Sequence, residues 1–269
     1  MFKHSVFSLP FIFIAMLVSA KGWFGWKLLL LGTVCAVSAR NFAMGVNRYL
    51  DRDIDILNPR TKNRPSVDGR VSNSQMVSFI GVNILLFIGC AYLVNPLAFA
   101  LSVPILLVLG GYTLFKRFSA LAHLVLGISL GLAPIAGVVA VNAEVTLWSL
   151  YLALGVMFWV AGFDLLYSLQ DIDFDKEQKL HSIPAKVGVV KTMMIAKTFH
   201  FLAIVLWSLF VIEAKLGVWA ELAVLFSALM LTYEHYLVNK DFTKIDKAFF
   251  IVNGYLGFMF IFLIIVEVS

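Results

Sequence analysis

Apolar residues run through this chain in long blocks, not in the alternating stripes of a half-buried soluble fold. A helix rising 1.5 Å per residue needs about 20 mainly apolar residues to cross the hydrocarbon layer of a bilayer. Nine blocks reach or approach that length, at 5–20, 27–48, 73–94, 97–115, 120–141, 147–170, 190–213, 217–237 and 248–267. They predict an all-α, polytopic membrane protein, a single bundle of about nine transmembrane helices spanning residues 1–269. At Val94–Asn95–Pro96 the proline cannot extend the preceding helix, so one block ends and the next begins there.

Composition strengthens that reading. Hydrophobic residues make up 61% of the chain and charged residues 14%, against about 25% charged in an ordinary soluble domain. No polar stretch is long enough to form a second domain. Lys3 precedes an apolar run, but no small-residue cleavage pattern follows before Lys21, so the run reads as a first helix and not a signal peptide.

The net charge of +5 is explained by loop asymmetry, and nucleic acid is set aside as a partner. One set of connections carries Arg48, Arg52, Arg60, Lys62, Arg64, Arg70, Lys116, Arg117, Lys176, Lys179, Lys186, Lys191, Lys240, Lys244 and Lys247. The alternate set carries only Lys21, Lys27 and Lys215. Basic residues gather in cytoplasmic loops, so the two long loops, 49–72 and 171–189, are expected in the cytoplasm and the C-terminus opposite. Cys35 and Cys90 lie in apolar runs without metal-ligand spacing and read as small buried hydrophobes. His123, His200 and His235 also lack paired spacing and read as core or interface residues.

The two long loops open alike. Asp51 and Asp55 are followed by Pro65, and Asp171 and Asp175 by Pro184. This weak echo suggests two related halves, about 1–119 and 120–269, meeting at one site. In the first half, Asn47, Asp51 and Asp55 are spaced four and four, which puts them on one helix face. Arg40 lies on the same stripe, roughly 10 Å deeper. Carboxylates four apart repel on a bare helix, and a divalent cation reverses that sign. Oxygen ligands of this kind suit Mg²⁺, which completes its shell with water and substrate phosphate. For a single such pair, a solvated helix end paired to Arg48 and Arg52 is the competing reading.

The second half repeats the spacing. Asp171 and Asp175 are four apart, and Asp164 and Tyr167 precede them on the same stripe, while Asp173 points elsewhere. Asp164 lies two turns inside an apolar helix, where a carboxylate needs a partner. A helix–helix hydrogen bond is one explanation. Tyr112 and Lys116, also four apart, come from a third turn on the same side. Two acidic clusters flanked by Arg and Lys look like a metal–diphosphate site. Lys116 alone is equally a snorkelling cation.

These motifs resemble those of the UbiA superfamily of intramembrane aromatic prenyltransferases. The N-x3-D-x3-D motif matches Asn47, Asp51 and Asp55, and N-P-R-T-x-x-R-P matches Asn58 through Pro65. The Y-x3-K turn matches Tyr112 and Lys116, and D-x2-Y-x3-D-x3-D matches Asp164, Tyr167, Asp171 and Asp175. The stretch Lys3–Pro10 is similar to the family's N-terminal helix.

The resemblance implies a central cavity opening to the cytoplasm and a multi-pass location in a bacterial inner membrane. It implies Mg²⁺ held by Asn47, Asp51, Asp55, Asp171 and Asp175, and a diphosphate touched by Arg60, Arg64 and Lys116, with Tyr112, Tyr167 and Asp164 beside it. The substrates it implies are a polyprenyl diphosphate from the bilayer and a small aromatic acid, whose carboxylate Arg40 would hold unless Arg40 pairs with Asp164. No obligatory protein partner is evident.

Gln170 and the run His181–Pro184 look most similar to the branch acting on 4-hydroxybenzoate in quinone biosynthesis, with a hydroxynaphthoate acceptor as the rival. A secondary transporter is the alternative of another class, but it calls for helices broken at mid-membrane. Phosphatidyltransferases carry a D-G-x2-A-R signature that this chain lacks.

Overall fold

The structure, a computed structural model, describes residues 9–242 and 245–269. The Lys3–Ser8 part of the N-terminal expectation, and Lys244, lie outside them. Among the described residues all regular structure is helical, with no strand. The helices are α1 (Leu9–Ala20), α2 (Trp26–Leu50), α3 (Arg52–Asp55), α4 (Asn73–Val94), α5 (Pro96–Gly111), α6 (Ala122–Asn142), α7 (Leu147–Ser168), α8 (Ile172–Glu177), α9 (Ile183–Glu213), α10 (Val218–Lys240), α11 (Ile245–Lys247) and α12 (Asn253–Val268). Two 3-10 turns, Tyr112–Arg117 and Leu169–Asp171, extend α5 and α7.

Seven of the described helical segments are long and apolar enough to cross a membrane. Two of the nine expected blocks fall short of that standard. The described part of the first, α1, has 12 residues, and α10 carries Glu221, Glu234 and Lys240. The outer faces are lined with exposed apolar side chains such as Leu30, Leu85, Leu107, Phe201, Ile212 and Phe262, as a bilayer requires.

The connections follow local chemistry. Ser72 and Gln75 form a capping box that starts α4, the Gln75 amide donating to Ser72 Oγ at 3.2 Å and the Ser72 amide to Gln75 Oε1 at 2.9 Å. α4 ends at Val94 and α5 starts at Pro96, as the proline predicts. Between them Asn95 caps α5 by accepting from the Ala98 amide at 2.8 Å, and donates to the Val139 carbonyl of α6 at 2.7 Å.

α7 is the central helix and packs mainly against α6 and α9. Of its most apolar stretch 67% is buried, against 17% for the peripheral α4. Trp159 on α7, Trp207 on α9, Phe11 on α1 and Phe260 on α12 meet in a fully buried aromatic cluster, with the Phe11 and Trp159 rings 5.2 Å apart and those of Trp207 and Phe260 5.3 Å apart. Small residues let the backbones approach. A Cβ at Gly127 on α6 would run into the Met157 carbonyl of α7, and one at Gly155 into the Trp207 ring.

Polar groups tie the same core together. Trp159 Nε1 donates to Asn253 Oδ1 at 2.7 Å, and Asn253 Nδ2 donates to Glu234 Oε1 at 2.7 Å, joining α7, α12 and α10. Cys35 and Cys90 are free and half-buried.

Candidate active site

Both acidic motifs sit where a long helix breaks. α2 stops at Leu50, and Asp51 takes φ −93°, ψ 9° before α3 begins. The 3-10 turn after α7 stops at Asp171, which takes φ −104°, ψ 7° before α8 begins. This sparsely populated backbone region is common at turns and active sites. The four-residue spacing predicted one unbroken helix face for each motif. Instead, the first carboxylate of each pair is the joint itself. In the first motif, helical bonds bridge the joint: the Asp51 amide donates to the Asn47 carbonyl at 2.9 Å and the Asp55 amide to the Asp51 carbonyl at 2.8 Å. The expected helix face at Tyr112 and Lys116 is likewise a 3-10 turn, where residues three apart, not four, stack on one side.

One cavity of about 330 Å³ collects these pieces. All the candidate site residues except Arg40 line it, so residues more than a hundred positions apart share one space. Asp51 is 1% exposed, and its Oδ2 accepts from Asn47 Nδ2 at 2.7 Å, from Thr113 Oγ1 at 2.6 Å and from Lys116 Nζ at 2.6 Å. Asp55 accepts from Arg64 Nη1 at 2.7 Å. Asp171 is gripped by Arg60 through two bonds, Nη2 to Oδ2 at 2.5 Å and Nε to Oδ1 at 3.2 Å. Arg60 also donates to the Tyr167 hydroxyl at 3.0 Å and lies over its ring, 5.3 Å from the centroid. Burial pulls the Arg60 guanidinium down, and the facing Asp171 carboxylate more than reverses this, so its pKa is raised and it stays a cation.

Three side chains join the arrangement without a motif to announce them. Thr113 receives a bond from Asn47 Nδ2 at 2.7 Å and passes one to Asp51. Arg117 forks onto Asp53, Nη2 to Oδ1 at 2.6 Å and Nη1 to Oδ2 at 2.9 Å, which holds the Asp53 carboxyl below its ordinary pKa. His123 Nδ1 lies 2.7 Å from Asp164 Oδ2. The pairing of Arg40 with Asp164 considered from the sequence is therefore replaced by His123, which the 41-residue separation between partners had concealed.

Arg40 stands apart. It borders a smaller, mostly apolar cavity of about 110 Å³ with Cys35, Phe87, Ile105 and Ser129, between α2, α4, α5 and α6. Its Nε is buried without a hydrogen-bond partner, and among the described residues it makes no ion pair. It interacts electrostatically with Tyr112, which lines the larger cavity.

Residues 8–264 match the UbiA prenyltransferase family. The chain belongs to that family. A 4-hydroxybenzoate octaprenyltransferase of Paraburkholderia phytofirmans is 29% identical over 78% of this chain and 69% of its own length. A protoheme IX farnesyltransferase of Korarchaeum cryptofilum is 31% identical over 70% of this chain and 65% of its own. The structure is similar to that of an apo UbiA homolog from Aeropyrum pernix K1, with a TM-score of 0.90 and 31% identity over 100% of this chain and 99% of the other. A UbiA homolog from Archaeoglobus fulgidus bound to GPP and Mg²⁺ shares the fold at a TM-score of 0.76, with 18% identity over 97% and 95% of the two chains.

The UbiA cavity in this chain suits a divalent ion. Asp51 Oδ1 is buried with no hydrogen-bond donor, and Arg117 Nη2 lies 3.7 Å from it. The donor set is all oxygen, the chemistry Mg²⁺ prefers. Among the described residues no three His, Cys, Asp or Glu side chains form a ready-made metal cage. Asn47 turns its amide nitrogen toward Asp51 and Thr113, so in this arrangement it orients the carboxylate.

Proposed function

We propose that this UbiA-family chain transfers a polyprenyl group from its diphosphate to an aromatic acid in quinone biosynthesis, with 4-hydroxybenzoate as the acceptor. One observation carries the reading. Asp51, Asp55 and Asp171 each face a cation across the cavity, Lys116, Arg64 and Arg60, at 2.6, 2.7 and 2.5 Å. Acids for a metal and bases for an anion thus alternate within one small space, as a metal diphosphate requires. The named 4-hydroxybenzoate octaprenyltransferases among the relatives support the acceptor.

Mg²⁺, when bound to Asp51, Asp55, Asp171 and Asp175, supplies positive charge to the diphosphate. Arg60, Arg64 and Lys116 turn from their carboxylates to the diphosphate oxygens, and the guanidiniums make bidentate contacts. The allylic C–O bond breaks, and its electron pair leaves with the diphosphate. A ring carbon of the acceptor supplies the pair for the new C–C bond, and loss of its proton restores aromaticity. Arg40, deeper along the α2 stripe and reached past Tyr112, holds the acceptor carboxylate. His123 holds Asp164, on the lining of the acidic cavity.

The reading extends to topology: α1 and α10 complete a nine-span bundle whose two halves each contribute one acidic joint. The cavity opens to the cytoplasm of a bacterial inner membrane, on the side of the basic loops.

The deciding experiment incubates purified protein in liposomes with Mg²⁺, radiolabelled polyprenyl diphosphates and a panel of aromatic acids. Prenylated 4-hydroxybenzoate is the expected product. Prenylated hydroxynaphthoate in its place identifies the rival acceptor, and no aromatic product with any acid refutes the reading.

A further inference from the structure

A second cavity, of about 420 Å³ and mostly apolar, opens between α9 and α10 on the outer face of the bundle. It shares no residue with the acidic cavity. The two helices run antiparallel, so the start of α9 and the end of α10 lie together at the end of the bundle that carries the acidic joints. Toward that end the lining is polar: Lys197, His235, Tyr236 and Asn239. Toward mid-membrane it is apolar: Phe201, Ile204, Ala228 and Leu231. This gradient fits an amphiphile lying parallel to the helices, headgroup at the interface and acyl chain along the apolar part.

The hydrogen bonds specify the headgroup. His200 Nε2 faces the Trp159 carbonyl at 3.3 Å, and a carbonyl only accepts, so that nitrogen carries the ring hydrogen. His200 Nδ1 is then the acceptor of its neutral ring, and His235 Nε2, 3.0 Å away, donates to it. His235 Nδ1 is left as a lone-pair acceptor. His235 is 9% exposed, and that nitrogen is buried without a hydrogen-bond partner. Lys197, exposed on the same cavity, is close enough to act electrostatically on His235. The lining contains no carboxylate that could hold a metal. A single ammonium suits one phosphate charge, not a diphosphate, and the histidine acceptor asks for a donor in the same headgroup.

We propose that this groove binds a phospholipid of the phosphatidylglycerol type, its phosphate on Lys197 and a glycerol hydroxyl donating to His235 Nδ1. Phosphatidylcholine offers the phosphate without the donor. Phosphatidylethanolamine offers a donor, but brings its own ammonium up to Lys197.

The test is native mass spectrometry of the full-length protein released from detergent micelles containing each lipid in turn, with inorganic phosphate as a further arm. The wild type is expected to retain phosphatidylglycerol up to about tenfold better than the other two lipids, the scale of one hydrogen bond. Lys197→Gln should lower retention of phosphatidylglycerol several-fold while prenyl transfer in detergent stays at the wild-type rate, since Lys197 is remote from the acidic cavity. Equal retention of the three lipids by the wild type overturns the proposal. So does undiminished retention of phosphatidylglycerol by Lys197→Gln, or displacement of the lipid by inorganic phosphate.

Discussion

Thr113 Oγ1 donates to Asp51 Oδ2 at 2.6 Å, on the same oxygen that Lys116 Nζ reaches. The 3-10 turn after α5 thereby fixes the orientation of a carboxylate on a different helix and leaves its other oxygen free of donors. Residues that orient a ligand usually change metal affinity by about 10–100-fold when removed. Thr113→Val keeps the shape and deletes the donor. Its activity should need roughly tenfold more Mg²⁺ for half-saturation, read from rate against free Mg²⁺. A titration curve identical to the wild type would show that Thr113 only fills space.

Asp51→Ala, Asp55→Ala, Asp171→Ala and Asp175→Ala should each lower kcat by about a hundredfold or more, the several kcal/mol of transition-state charge stabilisation a metal supplies. Asp173→Ala, on an exposed position of the same short helix, should stay near wild type. EDTA should abolish turnover and Mg²⁺ restore it. Full turnover in chelator contradicts the metal assignment.

Arg64 and Arg40 are expected to separate the two substrates. Arg64 faces Asp55 in the acidic cavity, whereas Arg40 lines the deeper apolar one. Arg64→Ala should raise KM for the prenyl diphosphate whichever acceptor is supplied. Arg40→Ala should raise KM for an aromatic acid and leave diphosphate binding nearly intact. The neutral analogue lacking the carboxylate is the control. Equal penalties on acid and analogue would make Arg40 a structural residue.

The two basic loops should be reachable from one side of the membrane. Single cysteines in 49–72 and 171–189, in a background without Cys35 and Cys90, are expected to react with an impermeant maleimide only from the cytoplasmic side. Labelling of the two loops from opposite sides is incompatible with a shared cavity.

Gly127 allows α6 to lie directly on the α7 backbone at Met157. Gly127→Leu forces that pair apart, and overpacking costs typically about 1–3 kcal/mol. The detergent-solubilised variant should lose several degrees of thermal stability, measured as retained monodisperse protein after heating. Gly81→Ala is the control, because no atom lies within 4 Å of a Cβ at that position. A Gly127→Leu melting curve as high as the control's would mean that α6 and α7 are not closely packed.

Much of the molecule is legible in the sequence. Block length and apolar content determine that the chain is helical and membrane-embedded, because an unpaired backbone cannot survive in hydrocarbon. Pro96 marks a boundary because it has no amide to donate. The carboxylate spacings at Asp51–Asp55 and Asp171–Asp175, with the neighbouring cations, are enough to nominate the site, since helical periodicity places such residues together locally.

Tertiary structure alone decided the rest. Periodicity does not register a one-residue break, so Asp51 and Asp171 read as helix-face positions although each is a joint. Pairing across helices leaves no local trace either. His123 meets Asp164, and Thr113 meets Asp51, only because Gly-lined contacts draw α6 onto α7 and the α5 extension folds over α2. Arg40 shares a stripe with Asn47 and Asp51, yet the packing of α2 against α4, α5 and α6 turns it into a separate cavity. Spacing along one helix gives depth and face; which neighbour covers that face is a property of how the helices pack.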